Sequence, residues 1–157
     1  SIPGPLSTTK KRAYGRKGRR VFSPAGEIYE GGKMTKPIVV NIRDVETFQP
    51  PHHRKVISRE PVNPQKGAKN IRFRITEGQP GGGDYLHTHP HSEQVSYVLE
   101  GEAIVLIDGQ RHIAAEGTVI FIPPGIPHKF INEKYVRMLL VWSPPPDLQE
   151  WKSQEKE

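Results

Sequence analysis

Apolar and polar residues alternate with a period of two along much of this chain, in short segments that end at glycine or proline. In residues 71–75, for example, isoleucine and phenylalanine alternate with Arg72 and Arg74. Side chains two apart on a strand share a face, so the pattern predicts a strand with one buried apolar face and one polar face. A solvated arginine face is the ordinary case. If that face lines a barrel instead, Arg72 and Arg74 are placed to bind a carboxylate.

The same alternation, together with β-branched content, predicts eight strands. They span residues 37–42, 55–58, 71–75, 95–99, 103–107, 118–122, 129–131 and 136–142. A type I′ hairpin turn is expected at Asp108-Gly109, a tight turn at Glu100-Gly101, and a flexible glycine-rich approach at residues 79–83. Many short strands separated by Gly/Pro turns indicate an all-β sandwich or barrel.

The formal charge of +6 is confined to the start of the chain. Residues 1–33 contain eight Lys or Arg and two Glu, whereas the rest of the chain contains fifteen residues of each sign. We therefore expect a basic, largely irregular N-terminal arm (1–33) with room for one short edge strand, a barrel domain (34–146) and a C-terminal tail (147–157) with one short helix. The arm has three readings: it binds anionic partners, drapes over a neighbouring protomer, or precedes a natural start at Met34. Because residues 34–157 carry no net charge, nucleic-acid binding is not expected.

Two features that are absent from the sequence limit the possible metal ligands and the expected location of the protein. The chain has no cysteine, which excludes disulfides and thiolate metal ligands. It has no apolar run of membrane-spanning length and no apolar core of a secretory signal at its start, so we expect a cytoplasmic protein that does not enter membranes.

Candidate chemistry is concentrated in the histidines. His87 and His89 lie two residues apart, so on an extended segment both can point at one atom, and imidazole is the commonest ligand of transition metals. The spacing from Gly81 through His87, His89 and Gln94 to Gly101 resembles the first cupin motif, with glutamine where the family usually has glutamate. The second motif is matched at every fixed position, and its members are Gly117, Pro123, Gly125, His128 and Asn132.

This resemblance to the cupin superfamily implies a double-stranded β-helix, or jelly-roll, barrel that binds one divalent transition metal per chain: Fe, Mn, Ni, Zn or Cu. It also implies the ligands His87, His89, Gln94 and His128. Glu93 is the alternative fourth ligand, because it fits the three-residue variant of the motif and offers an anionic donor. The two lie on opposite strand faces, and the Glu93 face is the more apolar. With Gln94 as ligand, the metal keeps its full +2 charge and becomes a stronger Lewis acid.

The expected function is a metal-dependent enzyme acting on a small oxygenated or carboxylate-bearing molecule, with a dioxygenase favoured. The alternatives are a non-redox isomerase, decarboxylase or lyase, and a non-catalytic cupin that binds a small ligand. Candidate catalytic residues are His91, Glu93 and Tyr97.

Three further expectations concern residues outside the motifs. His52-His53 is expected to be a surface pair, with a second metal site as the alternative reading. Tyr97 and Phe121 are assigned to the core or pocket wall. A homodimer is expected, because residues 95–99 and 103–107 offer more apolar surface than one small barrel interior needs.

Overall fold

The computed structural model describes residues 36–147, together with the backbone of three short strands that precede them. The chain divides into two compact units, residues 1–37 and 38–157. In the first unit, β1 (Val21–Phe22), β2 (Ile28–Glu30) and β3 (Lys33–Thr35) form a small antiparallel sheet in that order. The sequence predicted one short edge strand in residues 1–33, and the structure has more than one strand there. The predicted C-terminal helix falls outside the described residues.

The second unit is built from eight antiparallel strands. They are β4 (Thr47–Phe48), β5 (His53–Val62), β6 (Arg72–Asp84), β7 (Glu93–Ile107), β8 (Gln110–Ala115), β9 (Val119–Ile122), β10 (His128–Asn132) and β11 (Val136–Ser143). The sheet runs β10-β7-β11-β6-β5-β4, and β8 and β9 also pair with β7. Because β10 pairs with both β7 and β6, the strands β7, β11, β6 and β10 close into a ring. The predicted all-β barrel is confirmed.

Strand β7 crosses from one wall of the barrel to the other. Its first half pairs with β9 and β11, and its second half pairs with β8 and β10. The change of partners occurs around Gly101, where the sequence predicted a tight turn between two strands. Gly101 has a φ of 77°, a conformation that glycine adopts without the cost borne by other residues. The bend therefore lies within one continuous strand, and it lets the sheet curl around the core.

The core lies inside the barrel and is formed by alternate residues of the strands. Its members are Val98, Ala103, Val105, Ala114, Ile120, Ile122, Phe130, Val136, Met138, Leu140 and Trp142. Among the described residues, no helix is long and apolar enough to cross a membrane.

The type I′ turn is confirmed, since Asp108 and Gly109 have φ values of 49° and 76° and join the paired residues Ile107 and Gln110.

Two further predictions were wrong: a strand at residues 37–42 and a flexible segment at residues 79–83. Residues 37–41 form no strand, and Ile42–Asp44 is a single 3-10 turn whose Asn41 cap accepts the Arg43 N–H at 3.0 Å. Val39 is fully exposed, so the β-branched residues of this segment have no strand partner and no core to enter. The glycine-rich residues 79–83 are strand rather than flexible loop. An added Cβ at Gly83 would overlap the Phe130 carbonyl of β10. Glycine at this position therefore lets β6 and β10 approach each other closely.

Candidate metal centre

Backbone hydrogen bonds hold the two histidine segments together. The His87 N–H donates to the His128 carbonyl at 3.0 Å, and the His128 N–H donates back to the His87 carbonyl at 2.9 Å. The His89 carbonyl accepts the N–H of Gly125, in the turn before His128, at 2.9 Å. The segments of the first and second motifs are thus fixed next to one another by main-chain contacts.

The three imidazoles form one buried cluster. His87, His89 and His128 each offer a ring nitrogen, and these three atoms lie within 4.8 Å of one another. Ring centroids are separated by 4.2 Å between His87 and His128, 4.9 Å between His87 and His89, and 5.2 Å between His89 and His128. The exposed fractions of the residues are 2, 5 and 1 %. The structure therefore brings the three predicted histidine ligands together inside the barrel.

The backbone determines which nitrogen of two of these rings faces the cluster. Nδ1 of His87 lies 2.7 Å from the Tyr85 carbonyl oxygen, and Nδ1 of His128 lies 2.9 Å from the Ile126 carbonyl oxygen. A carbonyl only accepts, so each Nδ1 must carry the proton and each Nε2 a lone pair. Nε2 of His128 is buried and has no hydrogen-bond partner among the residues that the structure describes. Such an orphaned acceptor costs about 1–3 kcal/mol. A divalent metal would satisfy it, so the donor set fits the group.

Burial keeps the cluster neutral. Desolvation lowers the pKa of His89 to about 3, with a further contribution from neighbouring His128. It lowers the pKa of His87 well below 6.5 and also lowers the pKa of His128. At neutral pH the three rings are therefore neutral, each with one nitrogen lone pair, which is the form that binds a metal.

Of the two candidate fourth ligands, only Gln94 faces the cluster. Gln94 is 2 % exposed and hydrogen-bonds His89, whereas Glu93 is exposed on the other face of β7. The Gln94 Oε1 accepts the Trp142 indole N–H at 2.7 Å, and its Nε2 donates to Ser96 Oγ at 3.1 Å. The amide is thereby held in one orientation.

The candidate catalytic residues His91, Glu93 and Tyr97 do not line the cavity beside the histidines. All three are exposed. Glu93 and Tyr97 alternate with the buried Gln94 and Ser96, so the pleat of β7 directs them outward. Phe121, assigned to the core, is also exposed, because it pairs with Val95 on this outer face.

The cavity beside the histidines is lined in part by side chains that the sequence did not identify. Its empty space is about 430 Å³ including the open mouth, and its wall is largely apolar. The polar groups in the wall are His53, Arg74, Thr76, Asp84, His87, Gln94 and Asn132.

His53 and Asp84 face the cavity together. His53 was expected at the surface, but burial lowers its pKa to about 4, and its Nδ1 donates to the Pro51 carbonyl at 2.7 Å. Asp84 Oδ2 lies 3.9 Å from both His53 Nε2 and His87 Nδ1, and its Oδ1 accepts the Phe130 N–H at 2.6 Å. His52, by contrast, is exposed. Only one histidine of the pair faces the cavity, so the two side chains do not form a second metal site together. Asp84 stands within the first motif and could have been considered there, whereas no sequence pattern directs His53 inward.

The arginine face of β6 also points inward, contrary to the usual expectation. Arg72 and Arg74 are 3 and 4 % exposed, and both bind the carboxylate of Glu60 on β5. The sequence indicated two alternating faces correctly. It could not show which of them the barrel would bury, because the compensating charge lies on another strand.

Taken together, the barrel and its site define a class of protein: a small jelly-roll domain with a three-histidine centre. Residues 74–143 match the Cupin domain family, so this part of the chain is a cupin domain. An uncharacterized protein of Methanocaldococcus jannaschii is 37% identical over 67 residues, which are 42% of this chain and 54% of that protein. The chain spans about half the length of the curated relatives it matches first.

Solved structures agree on the fold. The polyketide cyclase RemF from Streptomyces resistomycificus superimposes with a TM-score of 0.68 at 24% identity, covering 78% of this chain and 88% of that one. A predicted oxalate decarboxylase from Thermotoga maritima gives a TM-score of 0.60 at 21% identity, covering 68% and 98%. At these identities the likeness shows the fold alone. The two proteins are named for different reactions, so the reaction must be argued from the site.

Proposed function

We propose that this protein is a metal-dependent enzyme acting on a small oxygenated or carboxylate-bearing molecule, with a dioxygenase as the favoured class. The observation that carries the proposal is the buried cluster of three neutral imidazoles, with the Nε2 lone pair of His128 unsatisfied by the described residues. His87, His89 and His128 would hold a divalent Fe, Mn, Ni, Zn or Cu ion, and Gln94 is the proposed fourth ligand.

The bound ion would supply Lewis acidity and, if redox-active, electrons for chemistry with oxygen. The chain's own residues do the rest. Four neutral donors leave the site with the full charge of the ion, which favours an anionic substrate. The apolar wall of Phe130, Met138 and Leu140 excludes water, and Trp142 holds the Gln94 amide in place. Three histidines with open positions suit Fe(II), which favours the dioxygenase.

One observation supports a second candidate, a non-redox isomerase, decarboxylase or lyase. Such reactions move protons, and the cavity wall contains Asp84 and the neutral imidazole of His53. These two groups take the place of the exposed candidates His91, Glu93 and Tyr97.

We also propose that the protein is a homodimer. Val119 and Phe121 on β9 are 63 and 54 % exposed and pair across the sheet with Tyr97 and Val95 on β7. Residues 103–105, which also entered the prediction, are buried within the barrel, so of the two predicted segments it is residues 95–99 that leave large apolar side chains exposed, at Val95 and Tyr97. A second copy would cover this face.

One preparation tests these proposals. The protein is purified without added metal and subjected to elemental analysis and light scattering, and then screened for oxygen uptake with catechols, diketones and hydroxy acids. We expect one transition metal per chain, a dimer, and oxygen uptake that a chelator abolishes. Substrate loss without oxygen uptake would select the non-redox class instead. A metal-free protein that cannot be reconstituted would overturn the proposed enzyme, and a monomer would overturn the dimer.

We expect the Gln94→Ala variant to lose much more metal affinity than Glu93→Ala. Gln94 is buried beside His89, and changes next to a metal site typically lower affinity by roughly 10–100-fold. Glu93 is exposed on the opposite face, so its removal should have little effect. Equilibrium dialysis with Zn²⁺ measures both. The reverse order would assign the fourth ligand to Glu93.

A further inference from the structure

Three charged side chains are buried together beside the cavity. The Glu60 carboxylate accepts from Arg72 Nη1 at 2.6 Å through Oε1, and from Arg74 Nε at 2.9 Å and Nη2 at 2.7 Å through Oε2. Glu60, Arg72 and Arg74 are each 5 % exposed or less. Two guanidiniums and one carboxylate leave this group with a surplus positive charge.

A surplus buried charge is expensive, costing several kcal/mol unless an opposite charge accompanies it. One arginine is enough to neutralise Glu60, so the second is not explained by that ion pair. Glu60 does not line the cavity, and the carboxylate in the cavity wall is that of Asp84, which is hydrogen-bonded by the Phe130 N–H and faces His53 and His87. With a divalent ion on neutral donors, the cavity as a whole would be positive.

Arg74 and Arg72 differ in one respect. Both lie on the same face of β6 and bind the same carboxylate, but only Arg74 is part of the cavity wall. Its guanidinium carbon lies 5.0 Å from the Trp142 ring centroid, and the Trp142 ring lies 6.1 Å from the His89 ring. The indole thus separates the Arg74 guanidinium from the histidine cluster by the width of one side chain. The ion pair with Glu60 uses Nε and Nη2, and Nη1 takes no part in it.

We propose that Arg74 binds a carboxylate of the substrate at one end of the cavity, while oxygen donors at the substrate's other end face His87, His89 and His128. The substrate class is therefore a small organic acid with two oxygen-bearing ends, such as a dicarboxylate or a keto or hydroxy acid. A planar guanidinium matches a carboxylate geometrically, as its contact with Glu60 already shows. The second half of this assignment rests on the proposed metal function, whereas the role of Arg74 does not.

The test compares diacids with their monoamides. Malonate, succinate and glutarate are titrated calorimetrically into Zn²⁺-loaded protein, beside malonamate, succinamate and glutaramate, which keep one carboxylate and lose the second charge. For the best-fitting length, we expect wild-type protein to prefer the diacid at least tenfold, because hydrogen bonds between charged groups are about that strong. Arg74→Gln should reduce the preference to less than about twofold, because the partner of the second charge is gone. Arg59→Gln is the matched control, because Arg59 pairs with Glu77 outside the cavity wall, and it should retain the preference.

Metal content and thermal unfolding are recorded for every variant. If Arg74→Gln does not fold, Arg74→Lys replaces it, and it should lower the preference because the two-pronged contact is lost. The proposal is overturned if no diacid is preferred by wild-type protein, if Arg74→Gln keeps the preference, or if Arg59→Gln loses it equally. A wild-type protein that takes up no metal yet still prefers the diacid would end the metal function while leaving the Arg74 assignment standing.

Discussion

Replacing His128 with alanine should remove most of the metal that the wild-type protein binds. His128 is the member of the cluster contributed by the second motif, and its Nε2 has no other partner among the described residues. The variant retains only two of the three imidazole ligands. We therefore expect a loss of metal affinity greater than the roughly 10–100-fold typical of changes around a metal site. Elemental analysis of the purified variant and competition with a chelator for Zn²⁺ measure the loss.

His91→Ala is the matched control, because His91 lies in the same histidine-rich segment but is exposed. It should bind metal as the wild-type protein does. Thermal unfolding of the metal-free proteins separates lost ligation from lost structure. A variant lacking His87, His89 and His128 that still carried stoichiometric metal would place the site elsewhere and refute the proposal.

Gly101→Ala should destabilise the barrel by about 3 kcal/mol or more, because overpacking and backbone strain act together at this position. An added Cβ would overlap the Tyr135 carbonyl oxygen, and backbone cannot move aside as a side chain can. The φ of 77° adds strain for any residue with a Cβ. Urea unfolding monitored by circular dichroism gives the change in free energy.

Gly117→Ala provides the control. Gly117 has a φ of 86°, but an added Cβ there has no atom within 4 Å. Only the backbone term applies, so about 1–2 kcal/mol is expected. Equal losses in the two variants would show that the Tyr135 contact relaxes freely and that Gly101 does not hold β7 in its bend.

The sequence predicted the histidine cluster well because motif spacing is a property of the backbone. A fixed number of residues between His89, Gly101, Gly117 and His128 sets turn lengths and strand pairing, and the three rings then meet. Spacing also favoured Gln94 over Glu93, although the apolar residues beside Glu93 pointed the other way. That apolar face is exposed at Val95 and Tyr97, so hydrophobicity marked the outer surface of the barrel.

What the sequence could not predict depends on partners that are distant along the chain. Arg72 and Arg74 face inward because Glu60 on a neighbouring strand compensates them, and a period of two does not say which face is buried. His53 faces inward because β5 pairs with β6 at Asp84. The β-branched residues 38–40 form no strand, because β-propensity alone does not provide a neighbouring strand to pair with.

The reciprocal main-chain bonds between His87 and His128 have a thermodynamic consequence. In small metal-folded domains the ion itself organises the chain, so its removal unfolds them. Here the ordering of the donors is already achieved by peptide groups within a closed barrel. Folding and binding of the proposed ion would thus be separable events, and different ions could exchange at the site without refolding of the barrel. Slow hydrogen exchange at the His87 and His128 amides in chelator-treated protein would demonstrate this independence, and rapid exchange would refute it.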